Sequence, residues 1–317
     1  MNFPSVEAGP VRGRTPLREL SVFVLVVCGL AWLVFTPVLL NGASPSDPAF
    51  ALASQLFMFT PAVAALLVTF LLWRPGNVRR ALGLTPLRPV RRVGGYTLLA
   101  FAVFVLLPAV SLFAAVVFGV VRLDLEDFSG LREELTALAP EVAATMPRDG
   151  FPLEAYLVVL GMVMVSFVPT LLMCFGEELG WRGYLLPRLL PLGLWPALLV
   201  SGVVHGLWHG PQLLIHSLSG SFGPGDVLTF LASVVLLGVV LGWLRLVSRS
   251  VWPAVVGHAA NNAFLMVIPI TLMHADGSND PGLYPGGNGG LIGLAVTALA
   301  ALVVTLFLRK RVSGAGA

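Results

Sequence analysis

Apolar residues run in eight long stretches along the chain, at approximately 20–41, 49–73, 94–121, 155–176, 194–215, 227–247, 251–272 and 289–308. A helix that crosses the hydrocarbon core needs about 20 mostly apolar residues, so each stretch predicts a membrane span. The expected fold is all-α, a polytopic membrane helix bundle of about eight transmembrane helices. The first stretch is too long and too uninterrupted for a cleavable signal peptide and is read as a retained span. Two connections stand out. In 122–150 the spacing of Phe128, Leu131, Leu135 and Leu138 predicts an amphipathic helix on the outer surface. The Gly-, Pro- and Asn-rich stretch 275–290 predicts a flexible outer loop.

Composition agrees with a chain that has the bilayer as its solvent. Hydrophobic residues make up 57% of the 317, charged residues 11%, and mean hydropathy is +0.90. Soluble domains carry about 25% charged residues. Cys28 and Cys174 both lie in apolar runs and imply no disulfide framework. The placement of charge predicts orientation. All but three of the 19 Lys and Arg fall on one side if the N-terminus is cytoplasmic, including Arg12, Arg14, Arg182, Arg188, Arg245, Lys310 and Arg311. The exceptions, Arg122, Arg132 and Arg148, share a stretch with seven acids between Asp124 and Asp149. Both termini are therefore expected in the cytoplasm of a multi-pass cell-membrane protein. The Arg-rich, nearly Lys-free usage suggests a prokaryotic plasma membrane. The expected organisation is an N-terminal segment (1–19), one transmembrane domain (20–311) and a short tail (312–317).

Charged groups within a membrane helix are costly, so each calls for an explanation. The first cluster is Glu177-Glu178-x-x-x-Arg182. Glu178 and Arg182 stand at i, i+4 with the acid N-terminal, the favourable order for an ion pair. Glu177 points about 100° away, so Arg182 is expected to neutralise Glu178 and leave Glu177 to project elsewhere. The second cluster, His205-x-x-x-His209, puts two imidazoles on one helix face, and the third, His258-x-x-x-Asn262, repeats that spacing. Gly193 divides the fourth and fifth spans, with Glu177 and His209 each 16 residues from it. In an antiparallel hairpin they meet at the same depth, roughly 24 Å from the turn at 1.5 Å per residue. His216 and His274 fall at outer span ends, and the tryptophans are expected in packing or at the interface.

At these residues the chain resembles the CAAX protease and bacteriocin-processing family (CPBP, also called ABI). Its motifs are EExxxR, FxxxH and HxxxN or HxxxD. The first and third are present in full, and in the second His205 stands where the family has Phe. The resemblance covers roughly residues 150–270. It implies an intramembrane endopeptidase in which Glu177 and His209 activate water while His258 and Asn262 bind the oxyanion. Glu178 and Arg182 support them. The implied partner is a membrane-embedded or lipid-anchored peptide. Bacteriocin processing or immunity, or cleavage of another membrane protein, fits a prokaryotic chain better than prenylated CAAX substrates. Neither nucleic acid nor an organic cofactor is expected.

Hydrolysis needs an activated water, a stabilised oxyanion and a proton for the leaving amine, and these residue types supply all three. Zinc remains an alternative, since Glu177, His209 and His258 are a plausible ligand set and His205 could add a nitrogen. The His-Glu-x-x-His signature of zinc proteases is absent, which favours the metal-free glutamate mechanism slightly. Cys174 lies three residues before Glu177, but a buried thiol in an apolar helix usually packs rather than reacts. The competing functions are a non-catalytic membrane scaffold or immunity protein and a proton-coupled transporter, although no internal duplication of the transporter kind is visible.

Overall fold

Each apolar stretch forms helix in the computed structural model, which describes residues 16–313 except 43, 86, 148 and 149. Arg12, Arg14, Arg148, Asp149, the last residues of the tail and the side chains of Lys310 and Arg311 lie outside the described residues. The first span is α1 (Leu17–Leu40). The second is broken into α2 (Pro48–Phe57) and α3 (Thr60–Val68), and it ends in a π-helical turn at Thr69–Trp73. A single turn, α4 (Val78–Ala81), precedes the third span, α5 (Val90–Val117). Outside the spans come β1 (Val121–Leu123), α6 (Ser129–Leu138) and α7 (Pro140–Thr145).

The fourth span, α8 (Leu153–Glu178), does not stop where its apolar run stops. It continues through a π-helical segment (Leu179–Leu185), the turn α9 (Leu186–Leu189) and a 3-10 turn (Leu190–Leu192). Gly193, at φ 102°, then reverses the chain in a conformation that an L side chain rarely adopts. The fifth span is α10 (Leu194–Trp208) followed by α11 (Gly210–Leu218), bent by 46°. Pro211 explains the bend, because it cannot donate to the carbonyl of Leu207 and its ring clashes with it. The chain closes with α12 (Pro224–Ser248), α13 (Trp252–Phe264), α14 (Val267–Leu272), β2 (Met273–Ser278) and α15 (Gly290–Ser313). Among the described residues, 7 helices are long and apolar enough to cross a membrane, or 8 with the bent pair as one span. The chain is a polytopic helical bundle.

α13 packs between α5 and α8, α10 lies against α12, and α12 against α15. Small residues set the closest approaches. A Cβ on Gly180 would lie 2.4 Å from Pro61 Cβ, and one on Gly176 2.8 Å from the Met58 carbonyl oxygen. These glycines, one turn apart, let α8 press against the break between α2 and α3.

The two polar connections differ from the sequence expectation, and for one reason. Residues 275–278 are not a free loop: β2 pairs antiparallel with β1, Val121 opposite Ser278 and Leu123 opposite Met273. The amphipathic helix α6 exists, but Phe128, Leu131 and Leu135 are buried against Ala143, Met146 and Ala155, while Leu138 is exposed. Its apolar face is therefore covered by protein rather than lipid. Asp124 anchors this outer layer. Its carboxylate accepts the backbone N–H groups of Glu126, Asp127 and Ser129 and the Ser129 hydroxyl. Burial alone would raise its pKa, but the Ser129 and backbone hydrogen bonds outweigh it and hold the carboxyl well below the usual carboxylate range.

A carboxyl depressed in the folded state contributes stability above its unfolded pKa of about 3.9 and loses it as pH falls toward the folded value. Protection of the Glu126, Asp127 and Ser129 amides, taken relative to the intrinsic exchange rate at each pH, should therefore fall below about pH 4. Asp124→Asn should speed their exchange at least about tenfold at neutral pH, since hydrogen bonds to a charged acceptor contribute about 1.5–3 kcal/mol. Hydrogen exchange read by mass spectrometry checks both.

Candidate active site

Two buried polar groups meet where α8, α10 and α13 converge. Helix α8 presents Glu177 and Glu178 in succession, both fully inside the protein. The rotation between neighbouring helical residues aims them at different partners. Glu178 Oε1 accepts from Arg182 Nη1 at 2.6 Å and meets His258 Nδ1 of α13 at 2.9 Å. A carboxylate only accepts, so Nδ1 of His258 carries the proton. The Arg182 backbone carbonyl in turn accepts from Arg245 Nε of α12 at 3.0 Å. The ion pair read from the i, i+4 spacing is thus present, and it extends to a third helix.

Glu177 turns to α10. Its Oε2 lies 3.0 Å from His205 Nε2 and 3.4 Å from Trp181 Nε1. Oε1 carries no hydrogen bond from the described residues. His209 sits at the bend between α10 and α11, where Pro211 interrupts the helix. Its Nδ1 is 2.6 Å from Gln212 Oε1, and Gln212 Nε2 donates to Ser54 Oγ of α2 at 3.2 Å. Since Gln212 Oε1 can only accept, His209 holds its proton on Nδ1 and, when neutral, turns a bare Nε2 lone pair outward. Donor atoms of Glu177, His205 and His209 all lie within 4.8 Å of one another.

Aromatic side chains frame this pair of groups. His205 stacks on Trp181, with centroids 5.0 Å apart. Trp208 is buried, stacks on Phe57 at 3.5 Å and donates its Nε1–H to Thr60 Oγ1 at 3.0 Å. It supports the break between α2 and α3 rather than lining a cleft. The π-helical segment begins directly after Glu178 and includes Trp181 and Arg182. Such segments often occur at functional sites.

The geometry rearranges the expected metal set. Glu177 and His209 meet as the hairpin depth requires, but the third nitrogen beside them is that of His205, while His258 turns Nδ1 to Glu178. The i, i+4 spacing already put His205 on the face of His209 and offered its nitrogen as an addition to the set; the structure brings that nitrogen to Glu177. Gln212, three residues past His209, carried no such signal. Asn262 is exposed, and its contacts are Cys174 Sγ at 3.7 Å and Asn261 at 3.1 Å, not the His258 ring. The Cys174 thiol thus meets an amide donor instead of a histidine, an arrangement of packing and not of a thiol–imidazole pair.

Residues 155–264 match the family model described as type II CAAX prenyl endopeptidase, Rce1-like. This segment is similar to the CAAX-protease family. No curated protein matches the chain. The CAAX-protease segment runs from the start of α8 to the end of α13, so it holds every residue of both polar groups. The spans α1, α2–α3, α5 and α15 lie outside it. At family level the match supports a CAAX-type intramembrane protease.

Gly180 tests the packing that brings α8 to this position. Gly180→Val should destabilise the protein by about 1–3 kcal/mol through overpacking against Pro61. An exposed counterpart, Gly161→Val, has nothing within 4 Å of the added carbon and should leave thermal unfolding in detergent nearly unchanged.

Proposed function

We propose that the chain is an intramembrane endopeptidase in which Glu177 and His209 activate water and His258 and Asn262 stabilise the oxyanion. The observation that carries this reading is the disposition of Glu177. One carboxylate oxygen is held by His205 and Trp181 and the other is uncommitted, with His209 less than 4.8 Å away by its donor atoms. One water with two hydrogen bonds of about 2.8 Å spans that separation.

Water held between Glu177 and His209 attacks the scissile carbonyl carbon as Glu177 takes its proton. The carbonyl oxygen becomes the oxyanion. The proton then passes from Glu177 to the amide nitrogen as the C–N bond breaks, leaving a free amine and a new carboxylic acid. His258 commits Nδ1–H to Glu178, so a hydrogen bond from Nε2 to the oxyanion requires the imidazolium, and Glu178 supplies its countercharge. Asn262 donates from Nδ2 once a substrate draws it from Cys174.

The substrate class is a peptide that is membrane-embedded or lipid-anchored. The prenyl endopeptidase match favours the lipid-anchored alternative, and the lipid-facing surface of α8 supports entry from the bilayer. Val165, Val168 and Leu172 are exposed along one stripe of that helix. Both termini, and the membrane face nearest the site, are read as cytoplasmic, a reading that the charge asymmetry of the loops supports.

The test is cleavage of lipid-anchored and membrane-embedded peptides by the purified chain in proteoliposomes. Glu177→Gln should lower kcat by about 10²–10⁴-fold, the usual contribution of a positioned general base. Asn262→Ala should cost about 10²–10³-fold, as for loss of an oxyanion donor. Wild-type cleavage matched by Glu177→Gln would rule the mechanism out.

A further inference from the structure

We propose that Glu177, His205 and His209 form a binding site for a divalent transition metal, with zinc the ion that best suits the donors. The inference rests on the preceding reading only for its consequence for cleavage. Two imidazoles and one carboxylate, with water as fourth ligand, are an established zinc donor set. Here the three donors lie within 4.8 Å of one another. The i, i+4 spacing on α10 puts both imidazoles on one face, opposite the carboxylate from α8.

Three further observations point to an ion. His205 is buried, and its Nδ1 has no hydrogen-bond partner among the described residues. A buried polar nitrogen without a partner calls for an explanation, and an ion or water in contact with the ring is one of the few available. His209 has the outer support of a metal-binding histidine. Nδ1–H is fixed on Gln212, itself fixed on Ser54, which orients the ring and leaves Nε2 as the ligand atom. Arg182 is engaged by Glu178, and Oε1 of Glu177 carries no hydrogen bond from the described residues, so that oxygen is open to a cation. A carboxylate bound to a metal is no longer an unencumbered base, so zinc and the water chemistry of Glu177 compete.

The experiment is equilibrium dialysis of the full chain in detergent against Zn²⁺, with elemental analysis, using an affinity tag that contains no histidine. Wild type should bind one zinc per chain. His205→Phe should weaken binding at least tenfold. Gln212→Ala, which leaves all three ligands in place, should weaken it by about 10–100-fold. Asn262→Ala should bind zinc as wild type does while failing to cleave peptide. In wild type the same titration should lower cleavage with the midpoint measured for binding. Absence of stoichiometric zinc from folded wild type, or equal affinity in His205→Phe, would overturn the site. Cleavage raised by zinc would overturn the competition. A chain that binds one zinc but cleaves no peptide would retain the metal site and remove the protease reading.

Discussion

One buried carboxylate sets the geometry of the whole site. Glu178 has no exposed surface, and a single one of its oxygens meets both Arg182 and His258. Two charges buried together are held by geometry rather than by net Coulomb gain, because desolvation consumes most of the attraction. Removing one partner is what costs, about 3–5 kcal/mol for a buried pair. The arrangement therefore acts as a clasp between α8 and α13. With Glu178 committed to that side, the rotation of the helix leaves Glu177 facing α10. The order of two adjacent acids thus sends one carboxylate to α13 and the other to α10.

The clasp works only because the backbones come close. Gly176 and Gly180 let α8 press on the broken second span, and a Cβ on Gly238 of α12 would lie 3.2 Å from Gly202 Cα of α10. Helices in a bilayer gain little from apolar association, so small residues and polar contacts take over that role. Residues 176–186 of the Leu153–Leu192 rod are all buried in protein, whereas none from 156 to 173 is fully buried. Glu177 thus sits at the boundary between the more exposed and the protein-covered parts of the helix.

Most of the architecture was legible because bilayer spans are written in local composition. All eight apolar stretches became helices, and the turn at Gly193 followed from Gly and Pro alone. The three motifs found one another because i, i+4 spacing fixes a face. The rest was carried by contacts between distant segments. The pairing of Val121 with Ser278 joins a Gly-rich stretch to a short strand far earlier in the chain, which no local pattern announces. Leu138 fits the apolar period of α6 yet points away, since the partners that cover the helix stop at Leu135. The side of His258 that faces Glu178, and the nitrogen that His205 brings to Glu177, depend on helix rotation, which spacing within one helix does not determine.

The most direct test of the clasp is a double-mutant cycle on Glu178→Gln and His258→Phe, measured as unfolding free energy in lipid bicelles. Groups that share a buried hydrogen bond couple by about 0.5–3 kcal/mol. A clasp between α8 and α13 predicts a coupling above about 1 kcal/mol, with the double variant less destabilised than the two single losses combined. Losses that add to within about 0.3 kcal/mol would show that Glu178 does not hold the two helices together.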